Sequence, residues 1–173
     1  MEKKALVTYA SKYGGTAGIA EKIGEVLREA EIETDVLPVD RVGDLTPYRA
    51  VILGSAVYIG GWRKAAVNFL RTRERDLADH PVWIFSSGPT GPAEQGAFMG
   101  GGLLPQALQP VADRIHPRDV VIFGGAAFAE RLKGLDKWIL NNVKAPLGDF
   151  RDWEAITAWA ETIGRDLKCC RES

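Results

Sequence analysis

The chain has 173 residues, a length that suits one domain built on one sizeable core. Hydrophobic residues make up 46% and charged residues 26%, which excludes a disordered chain. The net charge of −1 leaves no sequence-wide positive field for nucleic acid, and none of the strong acidity that steers a small carrier toward basic partners. No apolar run approaches the ~20 residues that span a bilayer. Met1-Glu2-Lys3-Lys4 runs straight into a strand-like segment without an apolar signal core, so the expected compartment is the cytoplasm.

Strand and helix patterns alternate along the chain. Ala5–Ala10 is short and apolar and reads as strand 1. Gly18–Ala30 carries Ile19, Ile23, Val26, Leu27 and Ala30 at helical spacing. Thr34–Val39 is a weaker strand whose Pro38 marks an edge or an end. Ala50–Gly54 is strand 3, and Trp62–Leu77 reads as a helix with Ala66, Phe69 and Leu70 facing inward. Pro81 opens strand 4, Val82–Ser86, and a Gly/Pro-rich stretch runs from Ser87 to Gly102. A structureless stretch of that length points to a functional loop. Leu103–Ile115 reads as a helix interrupted by Pro105 and Pro110, and Asp119–Gly124 as strand 5. Leu132–Val143 is apolar on one side. The last helix starts near Asp152, with Trp153, Ile156, Ala160, Ile163 and Leu167 on one face. Five apolar strands separated by helices predict a parallel sheet covered on both faces, in a single domain spanning 1–173.

Two cysteines, Cys169 and Cys170, stand side by side near the end. No Cys-x-x-Cys or Cys/His cluster accompanies them, so they read as reduced thiols and no zinc or iron–sulfur site is expected.

Open α/β sheets bind ligands beyond the carboxyl ends of their strands. After strand 1 comes Ser11-Lys12-Tyr13-Gly14-Gly15-Thr16. Its glycines allow a tight turn and a close backbone approach. It leads into a helix whose first amides have no internal partners. That combination suits a phosphate, although Thr16 would equally serve as the N-cap of a plain connection. Rival phosphate loops fail on spacing. No Gly-Lys-Ser/Thr follows, and the dinucleotide fingerprint would need glycine at Thr16. A phospho-receiver would need acidic residues where Ala10-Ser11 and Gly54-Ser55 stand.

After strand 3 comes Ser55-Ala56-Val57-Tyr58-Ile59-Gly60, followed by Gly61-Trp62. Tyr58 or Trp62 can stack on a flat ring, or simply fill the core. After strand 4 comes Ser87-Gly88-Pro89-Thr90-Gly91, whose amides and hydroxyls suit the polar edge of a heterocycle, or an ordinary turn.

Three such loops in this order resemble the flavodoxin family, whose first loop reads Ser/Thr-x-x-Gly-x-Thr and binds the phosphate of FMN. Here that pattern is Ser11, Gly14 and Thr16, with Tyr13 where many flavodoxins carry a threonine. The resemblance implies a flavodoxin-like three-layer sandwich with strand order 2-1-3-4-5. It also implies that the second and third loops enclose the flavin ring. Within the superfamily, Gly54–Gly60, Phe123-Gly124-Gly125-Ala126 and Gly148–Glu154 are similar to the menaquinone-dependent protoporphyrinogen oxidases of flavodoxin type. In that group FMN takes electrons from a porphyrinogen and passes them to a quinone.

The implied partners are therefore a quinone or porphyrinogen-like substrate, or a redox protein. Arg63, Lys64, Arg71, Arg73 and Arg75 form one basic stretch, and Arg131, Lys133, Lys137 and Lys144 another, the latter with Trp138, Ile139 and Leu140. Such stretches suit carboxylate groups or an anionic membrane surface, as well as plain solvated helix faces. His80 and His116 lie in connections, and no protein nucleophile is expected. Two other readings stay open: an electron carrier without its own substrate, and a flavin-free interaction module.

Overall fold

Each central strand places side chains alternately on the two faces of one sheet, and both faces are buried. Leu6, Val51, Leu53, Val82 and Ile84 belong to one core. Their chain neighbours Ala5, Val7, Ala50, Ile52, Trp83 and Phe85 belong to the other. That alternation, with no polar face, is the mark of a parallel sheet sandwiched between helices. The structure is a computed structural model that describes residues 3–88, 101–142 and 147–170.

Five strands run parallel: β1 (Lys4–Ala10), β2 (Thr34–Pro38), β3 (Tyr48–Tyr58), β5 (Val82–Ser87) and β6 (Asp119–Phe123). Their order is β2-β1-β3-β5-β6. This is the expected order, because the intervening β4 (Gly61–Trp62) is only a short antiparallel return onto β3. On one face lie α1 (Gly15–Glu29) and α6 (Trp153–Cys169). On the other lie α2 (Lys64–Thr72), α3 (Glu74–Ala78) and α4 (Gln109–Ile115). A second, two-stranded ribbon pairs β7 (Ala126–Ala127) with β8 (Gly148–Asp149), and α5 (Gly134–Asn142) lies between them in sequence.

Several boundaries differ from the sequence reading, each for a local reason. The first helix starts at Gly15 and not Gly18, because Gly14 takes φ +87° and turns the chain directly into the helix. Strand 3 continues through Tyr58, so Ser55–Tyr58 are strand and not loop. Trp62 opens no helix. Ile59 (φ +49°) and Gly60 (φ +72°) make the two-residue turn that folds Gly61-Trp62 back onto Val57-Tyr58. The helix expected over 62–77 begins at Lys64 and is broken at Arg73. Pro110 stands in the first turn of α4, where its missing N–H costs nothing, so it starts that helix instead of interrupting it. Asp152 caps α6 by accepting from the amide of Ala155 at 3.0 Å.

Close approach fixes the sheet beneath the site. A Cβ on Gly54 would stand 2.0 Å from the ring of Phe85, so β3 and β5 pack tightly only with glycine there. Phe85 in turn joins Phe123 and Trp159, with ring centroids 5.5–6.1 Å apart. Cys169 and Cys170 are exposed and unbonded to one another. Among the described residues, no helix is long and apolar enough to cross a membrane.

Candidate functional site

The carboxyl ends of β1, β3 and β5 open into one cleft. It is lined by Ser11, Lys12, Tyr13, Gly15 and Thr16 from the first loop, Ala56, Val57 and Tyr58 from β3, and Ser87 and Gly88 after β5. Residues of all three sequence-identified segments therefore meet in one place. Pro89, Thr90 and Gly91 lie outside the described residues, as does most of the 93–102 segment.

The first loop is shaped by its own bonds. Gly14 occupies the left-handed region, and its amide donates to Ser11 Oγ at 3.1 Å. The first α1 hydrogen bond runs from the amide of Gly18 to the carbonyl of Gly14 at 3.0 Å. The amides of Gly15, Thr16 and Ala17 thus have no intrahelical acceptor. No acidic residue stands in this first turn. The positive end of the α1 dipole is left free to meet an anion. Thr16 is only 2% exposed, and its hydroxyl shares a 2.8 Å hydrogen bond with that of Ser87. That bond ties the first loop to the end of β5.

Several expected site residues, Gly14 among them, do not line the cleft. Ser55 is buried in β3, where its hydroxyl accepts from the amide of Arg63 at 3.1 Å and donates to the carbonyl of Ala56 at 3.0 Å. Ile59 and Gly60 form the tip of the β3–β4 turn and do not line the cleft, with Ile59 72% exposed. Trp62 is buried, its indole N–H donating to Ser86 Oγ at 2.8 Å, so of the two aromatics only Tyr58 faces the cleft. His80 and His116 do not line it either.

The fourth wall comes from Ala126, Ala127 and Leu132, beyond β6. The Gly124-Gly125 pair, which in the sequence carried only a family resemblance, has a physical reason here. A Cβ on Gly125 would fall 1.4 Å from the carbonyl oxygen of Gly88, and one on Gly124 2.0 Å from that of Phe150. The amide of Phe150 donates to the carbonyl of Gly125 at 2.8 Å. The two glycines let the segment between β6 and β7 stand against Gly88 and Phe150, and Gly15 in the first turn of α1 comes close to Ala126.

Asp136 of α5 has no counterpart in the sequence reading. Its carboxylate accepts hydrogen bonds from the hydroxyls of Tyr13 and Tyr58 and pairs with Lys12 Nζ at 2.6 Å. Lys12 Nζ also sits 4.0 Å from the centre of the Tyr58 ring. The Lys12 ammonium, and then the two tyrosine hydroxyls, hold the Asp136 carboxyl down at about 2. Burial, reinforced by the bond to Asp136, pushes the Tyr58 hydroxyl up to about 12. Tyr13 is raised for the same reasons. An aspartate in a first helical turn ordinarily reads as a partner of the helix dipole, so nothing in the sequence singles Asp136 out.

Comparison with known proteins agrees with this architecture. No curated protein matches the chain. Among solved structures, the chain is similar to a flavodoxin from the domain Archaea at 20% identity, over 82% of this chain and 99% of that one, with a TM-score of 0.54. A cysteine-to-serine mutant of flavodoxin from Pseudomonas aeruginosa is similar at 16% identity, over 95% and 99% of the two chains, with a TM-score of 0.59. The rubredoxin oxygen:oxidoreductase of Desulfovibrio gigas is similar at 14% identity and a TM-score of 0.63. That match covers 96% of this chain but only 36% of the larger enzyme's length. The family comparison matches residues 6–153 to the flavodoxin domain, and the chain belongs to that family.

Proposed function

We propose that the chain is an FMN-binding oxidoreductase, with the flavin held in the cleft between the first loop, β3 and the end of β5. The observation that carries this reading is the joining of two unlike surfaces in one cleft. A helix N-terminus without acidic residues suits a dianionic phosphate. Beside it, Ala56, Val57 and the Tyr58 ring form a largely apolar wall that suits a flat heterocycle. Ser11, Lys12, Tyr13, Gly14, Gly15 and Thr16 surround the phosphate in this reading. Tyr58 borders the ring, and Ser87 and Gly88 meet its polar edge. FMN, once bound, supplies the redox chemistry, and the protein supplies binding, orientation and electrostatics.

The substrate side of the proposal rests on the resemblance to protoporphyrinogen oxidases: a porphyrinogen-like donor and a quinone acceptor. Arg63 and Lys64 follow directly on β4 and suit the carboxylates of such a donor. On α5, Leu135 and Trp138 are 69% and 63% exposed, and Lys133 and Lys137 beside them are exposed too. That combination supports peripheral contact with an anionic membrane surface. An electron carrier without its own substrate is the second reading. It is favoured by similarity to whole flavodoxins along nearly their full length.

The test is oxidation of protoporphyrinogen by the FMN-loaded protein with a quinone as sole acceptor. Turnover dependent on both compounds supports the oxidase. Rapid exchange of electrons with carrier proteins, without porphyrinogen turnover, supports the carrier.

A further inference from the structure

The first two loops are joined at the mouth of the cleft by a residue of neither. Asp136 comes from α5, an element between β7 and β8, whose ribbon is seated by the Gly124-Gly125 contacts with Gly88 and Phe150. Its carboxylate gathers three donors: the Lys12 ammonium and Tyr13 hydroxyl from the first loop, and the Tyr58 hydroxyl from the end of β3. The side chain is 16% exposed and Lys12 is 26% exposed, so this cluster is partly shielded from water. Lys12 and Tyr13 belong to the segment around the α1 N-terminus, and Tyr58 is the aromatic wall. The backbone of the first loop is held from the same side, because Arg131 donates to the carbonyl of Tyr13 at 3.4 Å.

Without the carboxylate, two tyrosines and one lysine would each sample several rotamers. A ligand would then have to order them on binding. With it, their order is established in advance, which is how preorganisation raises affinity. We propose that Asp136 is a positioning residue of the flavin site, fixing the separation of the phosphate loop and the Tyr58 wall through Lys12, Tyr13 and Tyr58. The proposal rests on the FMN reading above. Asp136 does not itself line the cleft and acts through its three donors.

The experiment compares FMN and riboflavin, which lacks the phosphate, by quenching of flavin fluorescence on titration with protein. Wild type, D136A, D136N and Y58F are used, with the thermal transition of each recorded alongside. Binding of FMN by wild type is required first, and its absence overturns the FMN reading itself. Given that binding, D136A is expected to lose about tenfold in affinity for both flavins. D136N keeps the side-chain shape and one acceptor, so it loses less and serves where D136A folds poorly. The visible circular dichroism of bound FMN changes in both variants, because the Tyr58 wall is no longer fixed. In the double variant D136A/Y58F the losses are less than additive, since each change removes the bond between Tyr58 and Asp136. Two results overturn the proposal. One is unchanged affinity and dichroism in D136A and D136N. The other is tighter binding of FMN alone, which would make Asp136 a competitor of the phosphate for Lys12.

Discussion

Thr16 joins two loops through one buried hydroxyl pair, so its chemistry is separable from its size. Valine has the same shape but cannot share a hydrogen bond with Ser87, whose own hydroxyl is buried at the end of β5. T16V is therefore expected to lose about 2 kcal/mol of stability, measured by urea denaturation, with weakened FMN binding. Asp136 gives a second residue-scale expectation, in pH. Its carboxyl is held at about 2 in the folded chain, against an ordinary value of 3.8. A lowered folded value means stabilisation that is complete above the unfolded value and lost as pH falls through the folded one. The difference in thermal transition between wild type and D136N is thus expected to be constant from neutral pH down to about 4, and to shrink toward about 2. A difference that stays constant to the acid limit contradicts the ion pair with Lys12.

At the scale of elements, β3 is the strand on which the site depends most. It is paired on both sides, by β1 and β5, and carries Ala56, Val57 and Tyr58 into the cleft. G54A drives a Cβ into the Phe85 ring and is expected to cost about 3 kcal/mol in chemical denaturation. G125A drives a Cβ into the backbone of Gly88, which cannot swing aside as a side chain can, so it is expected both to cost stability and to weaken flavin binding. The strands and the amphipathic helices α1 and α6 were legible because their apolar residues recur at the period of the element. The turn at Ile59-Gly60 was not, because a positive φ at an isoleucine is imposed by the tertiary pairing of Val57 with Trp62. The extension of strand 3 was hidden for a related reason. Ser55, Ala56 and Tyr58 read as loop chemistry, while the ladder to β5 through Ala56 and the pairing of Tyr58 with Gly61 of β4 keep them extended.

Over the whole molecule, sequence separation decides what could be foreseen. Ser11 to Thr16 form a local pattern, and their place at the end of β1 follows from one strand and one helix. Asp136 stands 123 residues from Tyr13 and 78 from Tyr58, and only the path of the chain through the β7–β8 ribbon brings it to them. No spacing rule in a single sequence carries that information. The fourth wall, Ala126, Ala127 and Leu132, was missed on the same ground: the glycines before it were visible, but what they approach was not. At all three scales the same cleft is the proposed seat of FMN. Its most direct test is the visible absorption spectrum of the purified protein after FMN is added and the excess removed. A retained flavin spectrum, its bands shifted by the protein and lost when Thr16 is replaced by a bulky residue, is the expected result. A colourless wild-type protein would contradict the account, and the oxidoreductase reading would fall with it.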